Sequence, residues 1–123
     1  MLLMTKTIEK RFEKQDLKLR KKYNDDCTLI DALRERKCFA KYFTPWANWR
    51  WYGFEYNKEL KQFYGIVSSP FVPQGEWGYF NLNDISDIVG PLGMKVERDL
   101  YSSPLSYEDV MKDIKRYTQW KNY

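Results

Sequence analysis

The stretch Phe43–Tyr56, with the sequence FTPWANWRWYGFEY, constrains the fold more than any other part of the chain. It holds three of the five tryptophans of the 123-residue sequence, together with two phenylalanines and two tyrosines. Each large aromatic side chain removes roughly 150–250 Å² from water when it is buried. A segment this rich in aromatic residues must lie in the core of the protein or against a partner.

Aromatic residues alternate with a period of two in the second half of this stretch, which predicts a β-strand. We expect Trp49 and Trp51, on one face of the strand, to point into the core. A face that mixes a cation with aromatic rings suits a platform for stacked bases, a hot spot for a protein partner, or a second face covered by helices. These three interpretations stay open for the opposite face, which is the candidate partner surface: Arg50, Tyr52, Phe54 and Tyr56.

Helical and strand patterns occupy separate parts of the chain, which predicts an α+β fold. Residues 5–22 contain no Gly or Pro and carry a thin apolar stripe of Ile8, Phe12 and Leu19, as in a helix that docks along one side. Strand-forming segments separated by short loops follow. They predict an antiparallel sheet of four to five strands, with the N-terminal and C-terminal helices packed on it.

Two capping patterns predict where further helices begin. Thr28 followed by Asp31 predicts a short second helix, and Ser106 followed by Asp109 predicts the start of the last one. The length fits a single domain over residues 1–123. We expect a helical, basic part over residues 1–37, a sheet core over 38–100 and a C-terminal helix over 106–121.

The positive charge is concentrated at the N-terminus. Residues 1–22 carry eight basic and three acidic side chains, a net charge of +5, whereas the whole chain carries +4. A solvated helix is one interpretation, and binding of nucleic-acid phosphates is the other. The candidate phosphate contacts are Lys14, Lys18, Arg20, Lys21 and Lys22.

Several kinds of site are excluded by composition. The chain has no histidine, which removes Ser-His and Cys-His nucleophilic sites and imidazole ligands for zinc. Two cysteines, Cys27 and Cys38, cannot form a four-cysteine metal site, and we expect both to be free packing thiols. No P-loop or dinucleotide fingerprint occurs. We therefore expect no cofactor, no metal site and no catalytic residue.

The sequence also favours a cytoplasmic protein. The apolar residues before the first charged position are too few for a signal peptide, and no apolar run approaches the roughly 20 residues that span a bilayer. We expect no membrane contact, and the sequence does not predict the oligomeric state.

A carboxylate set is the best enzymatic candidate. Glu97 and Asp99 share one face of a predicted strand with Arg98 opposite, and Glu55 ends the tryptophan-rich strand. Such carboxylates could bind Mg²⁺ in a metal-dependent enzyme. The alternative, which we favour, is a structural polar network of Glu55, Glu97, Arg98 and Asp99.

Four motifs in a fixed order resemble a known family. They are KYFTPWANWRWYGFEY, FYGIV, EWGYFNLNDI and GPLGMKVERDLY, within residues 41–104. This pattern is similar to that of an uncharacterised bacterial family of small single-domain proteins, a domain of unknown function encoded by plasmids, conjugative elements and phages. The segment at residues 27–37 and the helix from Ser106 look longer than in the family. The resemblance implies no activity and no catalytic residue.

Three functions remain. The first is a non-enzymatic protein of a mobile element that binds and inhibits a host protein or protein–RNA complex, with a defence nuclease such as a CRISPR effector as the expected target. The second is an accessory protein that binds nucleic acid through its basic N-terminal helix. The third is the metal-dependent enzyme built on Glu55, Glu97 and Asp99.

Overall fold

The described residues form a five-stranded antiparallel sheet with a helix on each face. The computed structural model describes residues 2–23, 34–100 and 104–120. The strands are β1 (Ala40–Phe43), β2 (Arg50–Asn57), β3 (Gln62–Ser68), β4 (Glu76–Asn81) and β5 (Glu97–Arg98). The helices are α1 (Lys6–Lys22), α2 (Leu82–Ser86) and α3 (Tyr107–Trp120), with a 3₁₀ turn at Pro91–Gly93. The predicted α+β fold is confirmed.

The strand order is β4-β3-β2-β1-β5, so the first four strands form a meander. After β4 the chain crosses to the opposite edge, where β5 pairs with β1. The sequence MKVERDL, residues 94–100, predicts a fifth strand, but the strand is much shorter, because only Glu97 and Arg98 join the ladder. β4 forms one edge of the sheet and β5 the other.

The first face of the sheet is covered by α1. Ile8 and Phe12 from this helix pack with Tyr42, Trp51 and Phe63 from the central strands. The thin stripe predicted from the sequence is confirmed, since Ile8, Phe12 and Leu19 are the buried residues of α1. Burial of this stripe, rather than helix propensity alone, holds such a helix in place.

The second face is covered by α3. Val110 and Ile114 pack on Tyr52, Phe54 and Ile66. The predicted capping box starts this helix: the Asp109 amide donates to Ser106 Oγ, and the Ser106 amide donates to Asp109 Oδ2, both at 3.1 Å. The two ends of the chain therefore cover opposite faces of one sheet.

A β-bulge interrupts β2. Gly53 lies opposite Gly65, but the next pair is Glu55 with Tyr64, so Phe54 is the extra residue. A bulge of this kind shifts the alternation of side chains along the strand. Consequently Tyr56 contacts Phe12 and Phe63 on the α1 face, although Tyr52 and Phe54 lie on the α3 face.

The predicted helix that begins at Thr28 lies almost entirely outside the described residues. At its end, Arg34 and Glu35 have helical backbone. Within the three described ranges, none of the helices has the length and apolar character needed to cross a bilayer.

Three glycines lie side by side across the sheet, and two of them form a matched test. A Cβ on Gly65 would stand 1.8 Å from the carbonyl oxygen of Tyr52, whereas a Cβ on Gly78 would meet no atom within 4 Å. We expect Gly65→Ala to lower the free energy of unfolding by about 3 kcal/mol or more, since backbone must shift. Gly78→Ala should change it by less than about 1 kcal/mol. Urea denaturation of the two variants measures the difference, and equal effects would contradict the close packing of β2 on β3.

Candidate binding surface at the open edge of the sheet

The partner surface predicted from the sequence is covered by the protein itself. Tyr52 and Phe54 are 0 % exposed beneath α3, and Arg50 is also buried. Tyr56 lies on the other face because of the bulge. Of the three interpretations left open for this face, the structure therefore supports the one in which helices cover it, and the four residues Arg50, Tyr52, Phe54 and Tyr56 do not form one open surface. The core assignment of Trp51 is confirmed, and Trp49 is partly buried against the same cluster.

A different set of aromatic side chains reaches the surface near β4. We call it the aromatic row; its members are Tyr107, Trp77, Tyr64 and Tyr79. The Trp77 ring is stacked with those of Tyr107 and Tyr64, with centroids 6.2 and 5.5 Å apart and interplanar angles of 4° and 15°. Tyr79 follows at 4.8 Å from Tyr64 and is 70 % exposed. The row thus extends from the edge of α3 to an open tyrosine.

The inner end of the row is fixed by the core. Trp77 packs against the buried Phe54 ring at 5.2 Å, and the Arg34 guanidinium lies 5.9 Å from the centre of the Tyr107 ring. Rings held by such contacts lose little freedom when a partner binds, which favours affinity. The exposed end, Tyr79, is the part of the row that a ligand can reach.

A cleft of about 550 Å³ adjoins the row between α1 and the β2–β3 hairpin, with Tyr64 and Tyr79 in its wall. Its floor holds Arg36, which is 1 % exposed. The Nη2 atom of Arg36 donates to Asp16 at 3.0 Å and forms an ion pair with Glu55 at the same distance. Burial acts to raise the pKa of Asp16, but hydrogen bonds and charge from Arg20 and Arg36 together outweigh it and hold this pKa below its usual range. Burial raises the pKa of Glu55, although Arg36 partly offsets this.

A second group of buried charges lies under α3. Lys41 is 4 % exposed, and its ammonium is 2.7 Å from Asp113 and 3.3 Å from Asp99. The Tyr52 hydroxyl donates to the same Asp113 oxygen at 2.6 Å. Burial, followed by this bond to a carboxylate, raises the pKa of Tyr52 far above its ordinary value. The group ties α3 to β1 and β2.

The predicted carboxylate network is divided between these two groups. Glu55 pairs with Arg36, whereas Asp99 pairs with Lys41. Arg98 donates to the carbonyl of Leu2 at 3.1 Å, and Glu97 lies opposite Phe43 in the ladder. Among the residues that the structure describes, no group of three or more Asp, Glu or Cys side chains is placed to hold a metal ion. Glu55 and Asp99 therefore belong to two different groups of ion pairs.

The candidate phosphate contacts differ in their partners. Arg20 pairs with Asp16 and Lys22 with Glu35, each at 2.7 Å. Lys14 and Lys18 line a groove of about 330 Å³ that also contains Arg11, Lys37 and Glu35. Lys21 is exposed on α1.

Sequence reasoning missed the aromatic row. Tyr64 and Ile66 alternate in β3, and Trp77 and Tyr79 alternate in β4. This alternation places the rings on one face of the sheet. Their position at the edge follows only when β4 is known to be the edge strand. The strand order supplies that information.

The fold and its surface define a class: a small α+β domain whose sheet is enclosed by helices on both faces and carries, at one edge, a row of aromatic side chains that ends in an exposed tyrosine. The family model described as "Protein of unknown function (DUF2958)" matches residues 4–113, and the chain belongs to this family. The match extends beyond residues 41–104, into both the N-terminal helix and α3. No curated protein and no solved structure matches the chain.

Cys38 provides a test of how tightly α3 is packed. The thiol is 1 % exposed and donates to the Ala40 carbonyl at 3.2 Å, and burial raises its pKa to about 12. Because the thiolate is the reactive form, we expect no reaction with a disulfide reagent at pH 8 in the folded protein. In a Cys27→Ser variant Cys38 is the remaining thiol, so the reagent reports on Cys38 alone. Reaction of this variant after denaturation in urea is the positive control. Rapid labelling of the folded variant would show that α3 opens readily.

Proposed function

We propose that the protein is a non-enzymatic binding protein of a bacterial mobile element, which binds and inhibits a host protein or protein–RNA complex. A defence nuclease such as a CRISPR effector is the target class that we favour. The observation that supports binding is the aromatic row at the open edge of the sheet. Tyrosine and tryptophan are enriched in protein-interface hot spots, where pre-fixed rings bind at low entropic cost. The mobile-element setting rests on the family resemblance.

The charges near the row favour a protein partner over nucleic acid. From Gln62 to Met94 the chain contains no lysine or arginine, and its charged residues are Glu76, Asp84 and Asp87. The cations near the row are Arg34, which lies against Tyr107, and three in the adjoining cleft that are each ion-paired with a carboxylate: Arg20, Arg36 and Lys58. Nucleic-acid sites need cations beside their stacking rings, because the phosphates dominate affinity. A basic surface of a host protein, such as one that holds nucleic acid, is complementary to this acidic and aromatic edge.

A second candidate function is nucleic-acid binding through α1. It is favoured by the groove in which Arg11, Lys14, Lys18 and Lys37 converge. This groove contains no aromatic row of its own, and Glu35 lies within it. We place it second for these reasons. A metal-dependent enzyme is not proposed, since Glu55 is occupied by Arg36 and lies apart from Asp99.

Capture of host proteins by tagged protein tests the first candidate. We expect Tyr79→Ala to reduce recovery of a specific partner about tenfold or more, because removal of a hot-spot ring costs 2 kcal/mol or more. Phe71→Ala is the matched control, since Phe71 is 85 % exposed in the loop before β4 and lies outside the row. Quantitative mass spectrometry of the three samples gives the comparison.

Equal recovery by the parent protein and Tyr79→Ala would contradict the proposal, as would an equally large loss in Phe71→Ala. The same preparations, mixed with RNA and DNA, test the second candidate. Binding that falls steeply between about 50 and 200 mM salt and is lost in Lys14→Ala/Lys18→Ala would replace the first candidate by the second.

A further inference from the structure

The backbone of β4 presents hydrogen-bonding groups to the outside of the sheet. The Leu82 amide donates to the Lys61 carbonyl at 2.9 Å, which marks this pair as hydrogen-bonded in the antiparallel register of β3 and β4. Bonded and non-bonded pairs alternate along such a ladder. Hence Phe80 and Gly78 bond to β3, whereas the N–H and C=O groups of Tyr79 and Trp77 point away from it.

These outward groups have no backbone partner among the described residues. β4 pairs only with β3 within the part of the chain that the structure describes, and no loop there donates to or accepts from Trp77 or Tyr79. Exposed edges are normally protected by lysine, proline, a bulge or a covering segment. Glu76–Asn81 contains neither lysine nor proline, and its register with β3 is regular.

The side chains near this edge indicate which charge a strand that binds to β4 should carry. Glu76 in β4 and Asp84 and Asp87 in and after α2 are exposed, and residues 62–94 contain no cation. The cleft that has Tyr79 in its wall is lined by four carboxylates and three cations, so negative charge is in excess there: Glu13, Asp16, Glu55 and Glu59 against Arg20, Arg36 and Lys58. On the α3-facing side, the exposed Tyr79 ring adjoins Tyr64. Aromatic faces attract arginine and lysine, and the surrounding carboxylates add to that attraction.

We propose that the partner binds by adding an extended, arginine- or lysine-bearing strand to β4. Its backbone pairs with the outward groups of Trp77 and Tyr79, and a basic side chain lies over the Tyr79 ring. Strand addition gives affinity through main-chain hydrogen bonds and specificity through alternate side chains. This inference rests on the proposed function and adds the binding mode and the chemistry of the partner.

A second copy of the chain is disfavoured as the occupant of this edge. Pairing β4 with itself would bring two cation-free acidic segments together, and like charges at close range repel. A basic segment from another protein carries the opposite charge. Size-exclusion chromatography is therefore part of the test, and a dimer that Tyr79→Pro dissociates would overturn the choice of partner.

A labelled peptide of about eight residues that alternates arginine and valine serves as the probe. When an arginine of the peptide lies opposite Tyr79, the backbone amides of the arginines face β4 and those of the valines face away from it. We expect fluorescence anisotropy to show saturable binding that weakens about tenfold or more when the arginine amides are N-methylated, since two or more backbone bonds are lost. N-methylation of the valine amides should leave binding unchanged, and replacement of arginine by glutamate should abolish it.

Two variants separate the backbone of β4 from its side chain. Tyr79→Ala removes only the ring, whereas Tyr79→Pro also removes the outward N–H and costs no bond to β3. We expect Tyr79→Pro to bind the peptide about threefold or more weakly than Tyr79→Ala. Circular dichroism establishes that both variants are folded. If Tyr79→Pro does not fold, binding of the two N-methylated peptides to the parent protein tests the backbone contribution instead.

Equal binding of the peptides methylated on arginine and on valine would overturn strand addition, as would equal binding of the arginine and glutamate peptides or no binding at all. Each of these results leaves the proposed function intact if Tyr79→Ala still loses its host partner. Conversely, the peptide could bind with the predicted pattern while host capture does not depend on Tyr79. That result would overturn the proposed function but not strand addition.

Discussion

Burial of both faces of β2 is the constraint on which the rest of this structure depends. Trp51 lies on the α1 side and Tyr52 on the α3 side, and both are buried. A single sheet with aromatic residues on both faces requires cover on both. The chain supplies that cover from its two ends, and among the described residues the β4 edge is where backbone groups remain without a backbone partner.

The same enclosure explains the buried charges. Lys41 lies on the α3-facing side of β1, and an unpaired ammonium there would be strongly unfavourable. Asp113 of α3 and Asp99 beyond β5 neutralise it, so the ion pairs specify how α3 docks. Arg36 has the same relation to Asp16 of α1 and Glu55 of β2. The helices α1 and α3 are thus each attached to the sheet by apolar packing and by ion pairs with one buried cation.

Much of the fold could be predicted from the sequence, because helix stripes, caps and strand alternation depend on residues that are close together in the chain. The stripe Ile8, Phe12 and Leu19, the capping box at Ser106 and the alternation in β2 depend on residues near in sequence. The position of the candidate binding surface could not be predicted in this way, since it depends on which elements are neighbours in the folded protein. The bulge at Phe54 moves Tyr56 to the other face, and only α3 decides that Tyr52 is covered. Strand order, which depends on the crossover to β5, decides that Tyr79 lies at an edge.

Amide hydrogen exchange along β4 tests the central claim, that this edge is open, most directly. In the free protein we expect rapid exchange at Trp77 and Tyr79 and slow exchange at Gly78 and Phe80, measured residue by residue by NMR, because only the latter pair donates to β3. Addition of the arginine–valine peptide should slow exchange at Trp77 and Tyr79. Uniform protection of all four amides in the free protein would contradict the account, since another part of the chain would then already occupy the edge.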